Sequence, residues 1–180
     1  MRILVVGAGA LGGYFGACLA RAGRNVTFLV RQRRIEQLAH NGLQVLSPHG
    51  DFKVSPTTVS SYAIREPFDL VLVAVKSYSL DEAMDHFAPA IGSNTMILPI
   101  LNGIGHIERL SRRFGAEHVM GGMANISCGL DGEGRIVQFM PLHDLVYGEI
   151  LGGFSDRTRA LQRVPTGVNR DSQGAPAERV

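Results

Sequence analysis

The residues with the clearest chemical meaning come first in the chain. Gly7-Ala8-Gly9-Ala10-Leu11-Gly12 sets three glycines at the spacing GxGxxG. Alone, such a match is weak. Here an apolar run precedes it, a helical pattern follows it, and a second apolar run lies at the right distance beyond. In that setting each glycine has a physical task. Gly7 makes a tight turn, Gly9 lets the backbone approach a pyrophosphate, and Gly12 lets a helix lie close to a sheet. The intervening Ala8, Ala10 and Leu11 offer backbone N–H groups, and the positive end of the helix dipole adds to them. The pattern implies a dinucleotide site. The bland alternative is a tight turn that binds nothing, and the strand-turn-helix-strand context argues against it.

The second apolar run, Asn25-Val26-Thr27-Phe28-Leu29-Val30, ends in Arg31. Sites for NAD usually place Asp or Glu here to accept from the ribose 2′-hydroxyl. No carboxylate follows until Glu36, and Arg33 and Arg34 stand close behind. An acid would repel a 2′-phosphate, whereas a guanidinium can grip it in a charge-assisted, bidentate way. NADP(H) is therefore the expected cofactor, while Arg33 and Arg34 fit a solvated helix start. Lys76 and Asn102 each follow a later apolar run. Ligands of open α/β sheets gather beyond the carboxyl ends of strands. A lysine there can face a phosphate or carboxylate, and an asparagine can both donate and accept. By position alone, each is equally well a solvent-facing loop residue.

These residues need elements to hold them. Continuous apolar runs predict buried strands at 2–6, 25–30, 70–75 and 95–98. Leu11, Phe15 and Leu19, four apart, predict a helix over 10–22 that Gly23 stops. Further helices are expected at 33–40, 80–87 and 107–114, the last with Arg109, Arg112 and Arg113 exposed. Residues 43–59 alternate around Ser47-Pro48-His49-Gly50 as a hairpin-like excursion would, with His49 on the surface. Later strands are expected at 119–127, 135–139 and 145–147. Strands alternating with helices imply an α/β fold, a Rossmann-type doubly wound, mainly parallel sheet covered on both faces.

Composition limits the rest. A net charge of +2 is too small to argue for nucleic acid, and no apolar run reaches membrane-spanning length. Two cysteines, Cys18 and Cys128, in no paired motif, fit reduced thiols in a cytoplasmic protein. Six scattered histidines show no metal-ligand spacing, so no metal is expected. The domain should end near residue 154. Residues 155–180 read as a short basic tail, helical over 156–163 and then disordered.

Taken in order, several of these segments form a set that resembles the 2-dehydropantoate 2-reductases, or ketopantoate reductases. The marks are Gly-Ala-Gly-Ala-Leu-Gly-Gly at 7–13, Leu29-Val30-Arg31, Val75-Lys76-Ser77-Tyr78, Leu101-Asn102-Gly103-Ile104-Gly105, and Gly121-Gly122 ahead of 125–128. Leu101 departs from the glutamine often found before the family's Asn-Gly. The resemblance, from Met1 to about Gly153, implies NADPH-dependent reduction of the 2-keto acid ketopantoate to pantoate, in pantothenate biosynthesis. It implies cofactor contacts at Gly7, Ala8, Gly9, Ala10, Leu11, Gly12, Arg31, Lys76, Asn102 and Cys128, with Asn102 also facing substrate. The family places its catalytic lysine in a C-terminal all-helical domain. This chain has only Lys53 and Lys76 and no counterpart of that domain, so no catalytic residue is assigned within it. A truncated or frameshifted gene product is one expectation. A non-catalytic NADP-binding sensor or interaction module is the alternative. An uncovered cleft would favour self-association into a homo-oligomer.

Arg31 gives the first test. A hydrogen bond to a charged group is worth about 1.5–3 kcal/mol, roughly 10- to 150-fold in affinity. NADPH should outbind NADH by a factor of that order, and Arg31→Asp should abolish the preference. Equal affinities for the unmodified chain in a calorimetric titration would sink the assignment.

Overall fold

The computed structural model describes residues 1–162. Strand β1 (Arg2–Val6) runs into the glycine turn, and helix α1 (Ala10–Arg21) leaves it. Strand β2 (Asn25–Leu29) leads through Arg31 to helix α2 (Gln32–Asn41). Strands β3 (Leu43–Leu46) and β4 (Phe52–Val54) form an antiparallel hairpin, and β5 (Thr57–Val59) follows. Then come β6 (Leu70–Val73), α3 (Leu80–Phe87), β7 (Met96–Pro99) and α4 (Gly105–Phe114). Two long strands, β8 (Gly121–Leu130) and β9 (Ile136–Gly148), and helix α5 (Asp156–Gln162) complete the described chain.

The first sheet has the order β5-β2-β1-β6-β7, parallel throughout. Val119 bridges Ile97 in parallel on the far side of β7, adding the start of a sixth strand. This is the Rossmann-type, doubly wound arrangement, and the order reverses beside β1. Strands β6 and β7 are buried along their whole length and β1 along all but its first residue, as strands covered on both faces must be. Helices α3 and α4 pack one face through Leu80, Phe87 and Leu110. Helix α1 packs the other through Phe15 and Leu19. Leu161 of α5 joins that second core.

A second sheet, of order β4-β3-β9-β8, covers the outer side of α1. Here the sequence expectation is corrected. The excursion at 43–59 splits: β3 and β4 make the expected hairpin, but β5 returns to the main sheet beside β2. The strands expected separately at 135–139 and 145–147 are one strand, β9. Its pairing with β8 jumps from Ile126/His143 to Cys128/Gln138, so residues 139–142 bulge outward. Phe139, Met140 and Leu142 in that bulge are exposed. Its backbone is anchored where His49 meets the Pro141 carbonyl at 2.6 Å and Gln138 donates to the Leu142 carbonyl. His49 is exposed, as expected, yet its ring lies tilted against that of His143 with centroids 4.3 Å apart. The expected disorder after residue 163 lies outside the described residues. Among the described residues, no helix is long and apolar enough to cross a membrane.

Because α1 is enclosed on both sides, its buried tyrosine needs buried partners. The Tyr14 hydroxyl donates to Gln138 Oε1 at 2.9 Å, and Ser47 Oγ donates to the same oxygen at 2.6 Å. Tyr14 therefore accepts from His143 Nδ1 at 2.6 Å, which fixes the tautomer. His143 Nε2 is then a bare acceptor, buried without a partner. Protonating it would place an unpaired N–H and a charge in the interior. Burial and the nearby His49 hold the His143 pKa below the usual imidazole value, against a smaller upward pull from Asp144.

A pH dependence follows from that depression. The unfolded chain takes up a proton near pH 6.5, while folded His143 resists until lower pH. Stability is thus fully present above about pH 6.5 and is lost progressively below it. His106, also lowered by burial, adds to the same slope. Urea unfolding at pH 7.5 and 5.5 should show the loss, and His143→Asn should make it shallower. A flat profile in the unmodified chain would contradict the buried neutral histidine.

Candidate cofactor site

Gly7 turns the chain at φ +95°, a conformation that side chains rarely adopt, and its N–H donates to the Leu29 carbonyl. Gly12 lies in the first turn of α1. A Cβ there would collide with the Gly7 carbonyl and come within 2.8 Å of Ala74 Cβ. Gly16, on the same face, would collide with the Phe28 ring. Gly9 is different. Its φ of −80° suits any residue, and nothing lies within 4 Å of where its Cβ would be. The fold does not require glycine at that position. The open space above it is where a ligand would press against the backbone.

That space belongs to a cavity of about 1050 Å³ at the carboxyl ends of the parallel strands. This is the upper end of the range for small-molecule sites, about 300–1,000 Å³. Gly7, Ala8, Gly9, Ala10, Leu11, Arg31, Lys76, Asn102 and Cys128 all line it. Gly12 is the one expected residue that does not, since it faces the sheet. Arg31 follows β2 and Asn102 follows β7, on opposite sides of central β1, so the cavity extends along the sheet edge with the glycine loop between. The inner face of β8 supplies a wall of Ala124, Ile126, Cys128 and Leu130. The tip of the β8–β9 hairpin is tied to α2, where Arg34 donates to the Gly134 carbonyl and Gln37 to the Glu133 carbonyl.

The electrostatics differ from end to end. The first turn of α1 holds no acid and no side-chain cap, so its free N–H groups and dipole face the cavity uncompensated. Lys76, exposed three residues beyond β6, makes no ion pair among the described residues. Burial pushes the Cys128 thiol up, and the Lys76 ammonium draws it part of the way back, so Cys128 is a neutral wall. Arg31, in contrast, is paired: its Nη2 lies 2.6 Å from Glu82 Oε2. Sequence reasoning sought an acid just past β2 and missed Glu82, 51 residues away on α3. Of the β8 wall it named only Cys128, through the family resemblance. Only the alternation of Ala124, Ile126, Cys128 and Leu130 could have marked one face of a strand.

Comparison with known proteins adds the family. The family model for ketopantoate reductase PanE/ApbA matches residues 3–152. The chain belongs to that family. The uncharacterized oxidoreductase YkpB of Bacillus subtilis is 40% identical over 171 residues, covering 95% of this chain and 56% of its own. The 2-dehydropantoate 2-reductase of Aquifex aeolicus is 28% identical over 180 residues, with the same coverage. The crystal structure of 2-dehydropantoate 2-reductase from Geobacter metallireducens matches with a TM-score of 0.83 at 35% identity, covering 91% of this chain and 54% of that one. The chain spans about half the length of the relatives it matches. The matched segment takes in the main sheet from its second residue onward and all of the cavity-lining residues.

Two glycines should respond in opposite ways to substitution. Gly12→Ala must displace backbone and should cost about 1–3 kcal/mol of stability. Gly9→Val should leave the melting temperature nearly unchanged and remove dinucleotide binding. A Gly9→Val chain that titrates NADPH with unchanged affinity would count against the loop as the pyrophosphate cradle.

Proposed function

We propose that the chain is the NADP(H)-binding half of a 2-dehydropantoate 2-reductase, reducing ketopantoate or a closely related 2-keto acid in the cytoplasm. The observation that carries the reading is the cavity itself. It joins an acid-free helix start and an open Gly9 to Arg31 on one side and to Lys76 and Asn102 on the other. The names of relatives such as that from Aquifex aeolicus supply the substrate class.

On this reading Arg31 holds the 2′-phosphate, and the N–H groups of Gly9, Ala10 and Leu11 hold the pyrophosphate. When bound, the reduced nicotinamide supplies a hydride to the keto carbon. Lys76 and Asn102 stand at that end, where Asn102 can orient a carboxamide or the keto acid through either of its polar atoms. Cys128 and the apolar residues of β8 close the wall against water without adding charge. Proton delivery to the keto oxygen is the step these residues do not provide. Lys76 stands on the cofactor side, and no other lysine but Lys53 is present in the chain.

General acid help is typically worth about 100- to 10,000-fold. The chain by itself should therefore bind NADPH yet turn over ketopantoate orders of magnitude more slowly than an ordinary enzyme. Purified chain with saturating NADPH and millimolar ketopantoate, followed by absorbance of the reduced nicotinamide, makes the test. Turnover near 1 per second or faster would reveal a donor within these residues and overturn the division of labour.

A further inference from the structure

Arg31 and Glu82 reach each other across the top of β1. Arg31 precedes α2 at the end of β2, and Glu82 lies in the first turn of α3, beyond β6. Strands β2 and β6 flank β1 on its two sides, so these two loops bracket the glycine turn. Both side chains line the cavity, and both are open to solvent, at 75% for Arg31 and 51% for Glu82. The pair is therefore a breakable one. Exposed ion pairs are weak, and losing one changes an equilibrium by no more than about fivefold.

From this contact we infer that Glu82 is a second determinant of cofactor choice, opposed to Arg31, and that it narrows the gap between the phosphorylated and unphosphorylated dinucleotides. The inference rests on the cofactor reading above. A 2′-phosphate brought to Arg31 has to displace the Glu82 carboxylate and then lie beside its negative charge. Both effects weaken NADP(H). An unphosphorylated ribose presents a hydroxyl that needs an acceptor. Arg31 has none to offer, being a donor only. Glu82, already held at the guanidinium, supplies the carboxylate that the end of β2 lacks. The chain thus carries both ribose-reading groups, one on each side of the glycine turn, where the common arrangement places one at a single position.

Helix stabilisation is the rival role for Glu82, since Asp81 and Glu82 both lie in the first turn of α3. A purely structural residue would shift the melting temperature and move both affinities in the same direction. The test is Glu82→Gln, which keeps size and exposure, with calorimetric titrations of NADPH and NADH against the intact chain and the variant. NADPH should bind up to about fivefold more tightly, and NADH about tenfold more weakly, because a hydrogen bond to a charged acceptor is lost. Arg31→Gln, the mirror variant, should move the ratio the other way. An unchanged ratio in Glu82→Gln, or two affinities that shift together, overturns the inference and leaves the cofactor reading intact. An unmodified chain that binds neither dinucleotide overturns both.

Discussion

Helix α1 is pressed between two sheets at separations that only glycine allows, and the rest of the molecule is arranged around that contact. Gly12 and Gly16 bring it against β1, β2 and Ala74 on one side. Gly13 admits the Ile136 side chain of β9 on the other. All residues from Gly12 through Leu19 are buried, so the helix has no solvent face along its middle. A helix apolar all round is a core element rather than a surface one. Its start is then fixed with respect to the strand ends, and the N–H groups of its first turn can face a ligand without moving. The enclosure also exacts the polar network of Tyr14, Gln138, Ser47 and His143, because the Tyr14 hydroxyl has no water to turn to.

The same contact orders the charges of the cavity. The helix end is positive and unopposed, Lys76 is unpaired among the described residues, and Arg31 is held by Glu82. The cavity is thus prepared for anions at its centre and at the Lys76 end, and balanced at the Arg31 end. A dinucleotide carries its fixed charge at the pyrophosphate, and only one of its two common forms carries more on the ribose. The distribution of charge along the cavity follows that chemistry.

The main sheet and the glycine loop were legible in the sequence because their signals are local. A run such as Leu70-Val71-Leu72-Val73 states its burial on both faces, and GxGxxG between a strand and a helix states its turn. Arg31, Lys76 and Asn102 were legible as strand-end residues for the same reason. The second sheet was not. Strands of three or four residues, such as β4 and β5, carry too few alternations to reveal a partner, and β3 pairs with β9 across some ninety residues of chain. The bulge at 139–142 broke one strand into two apparent ones, since four residues of β9 stand against the single Ser127 of β8 there. Glu82 gave no local sign at all. Its meaning lies in Arg31, and only the crossover of the fold brings them together.

The buried tyrosine also has a history in time. Tyr14 finds His143 only after 129 further residues have been made. At roughly 5–20 residues per second on the ribosome, that delay is on the order of ten seconds. The first strands and α1 can assemble early, but one flank of the helix then stays bare, Gly13 and Tyr14 included, until β8 and β9 emerge to cover it. A nascent chain of this protein therefore passes through a long interval with its central helix half dressed. That is the stage at which holdase chaperones have something to grasp.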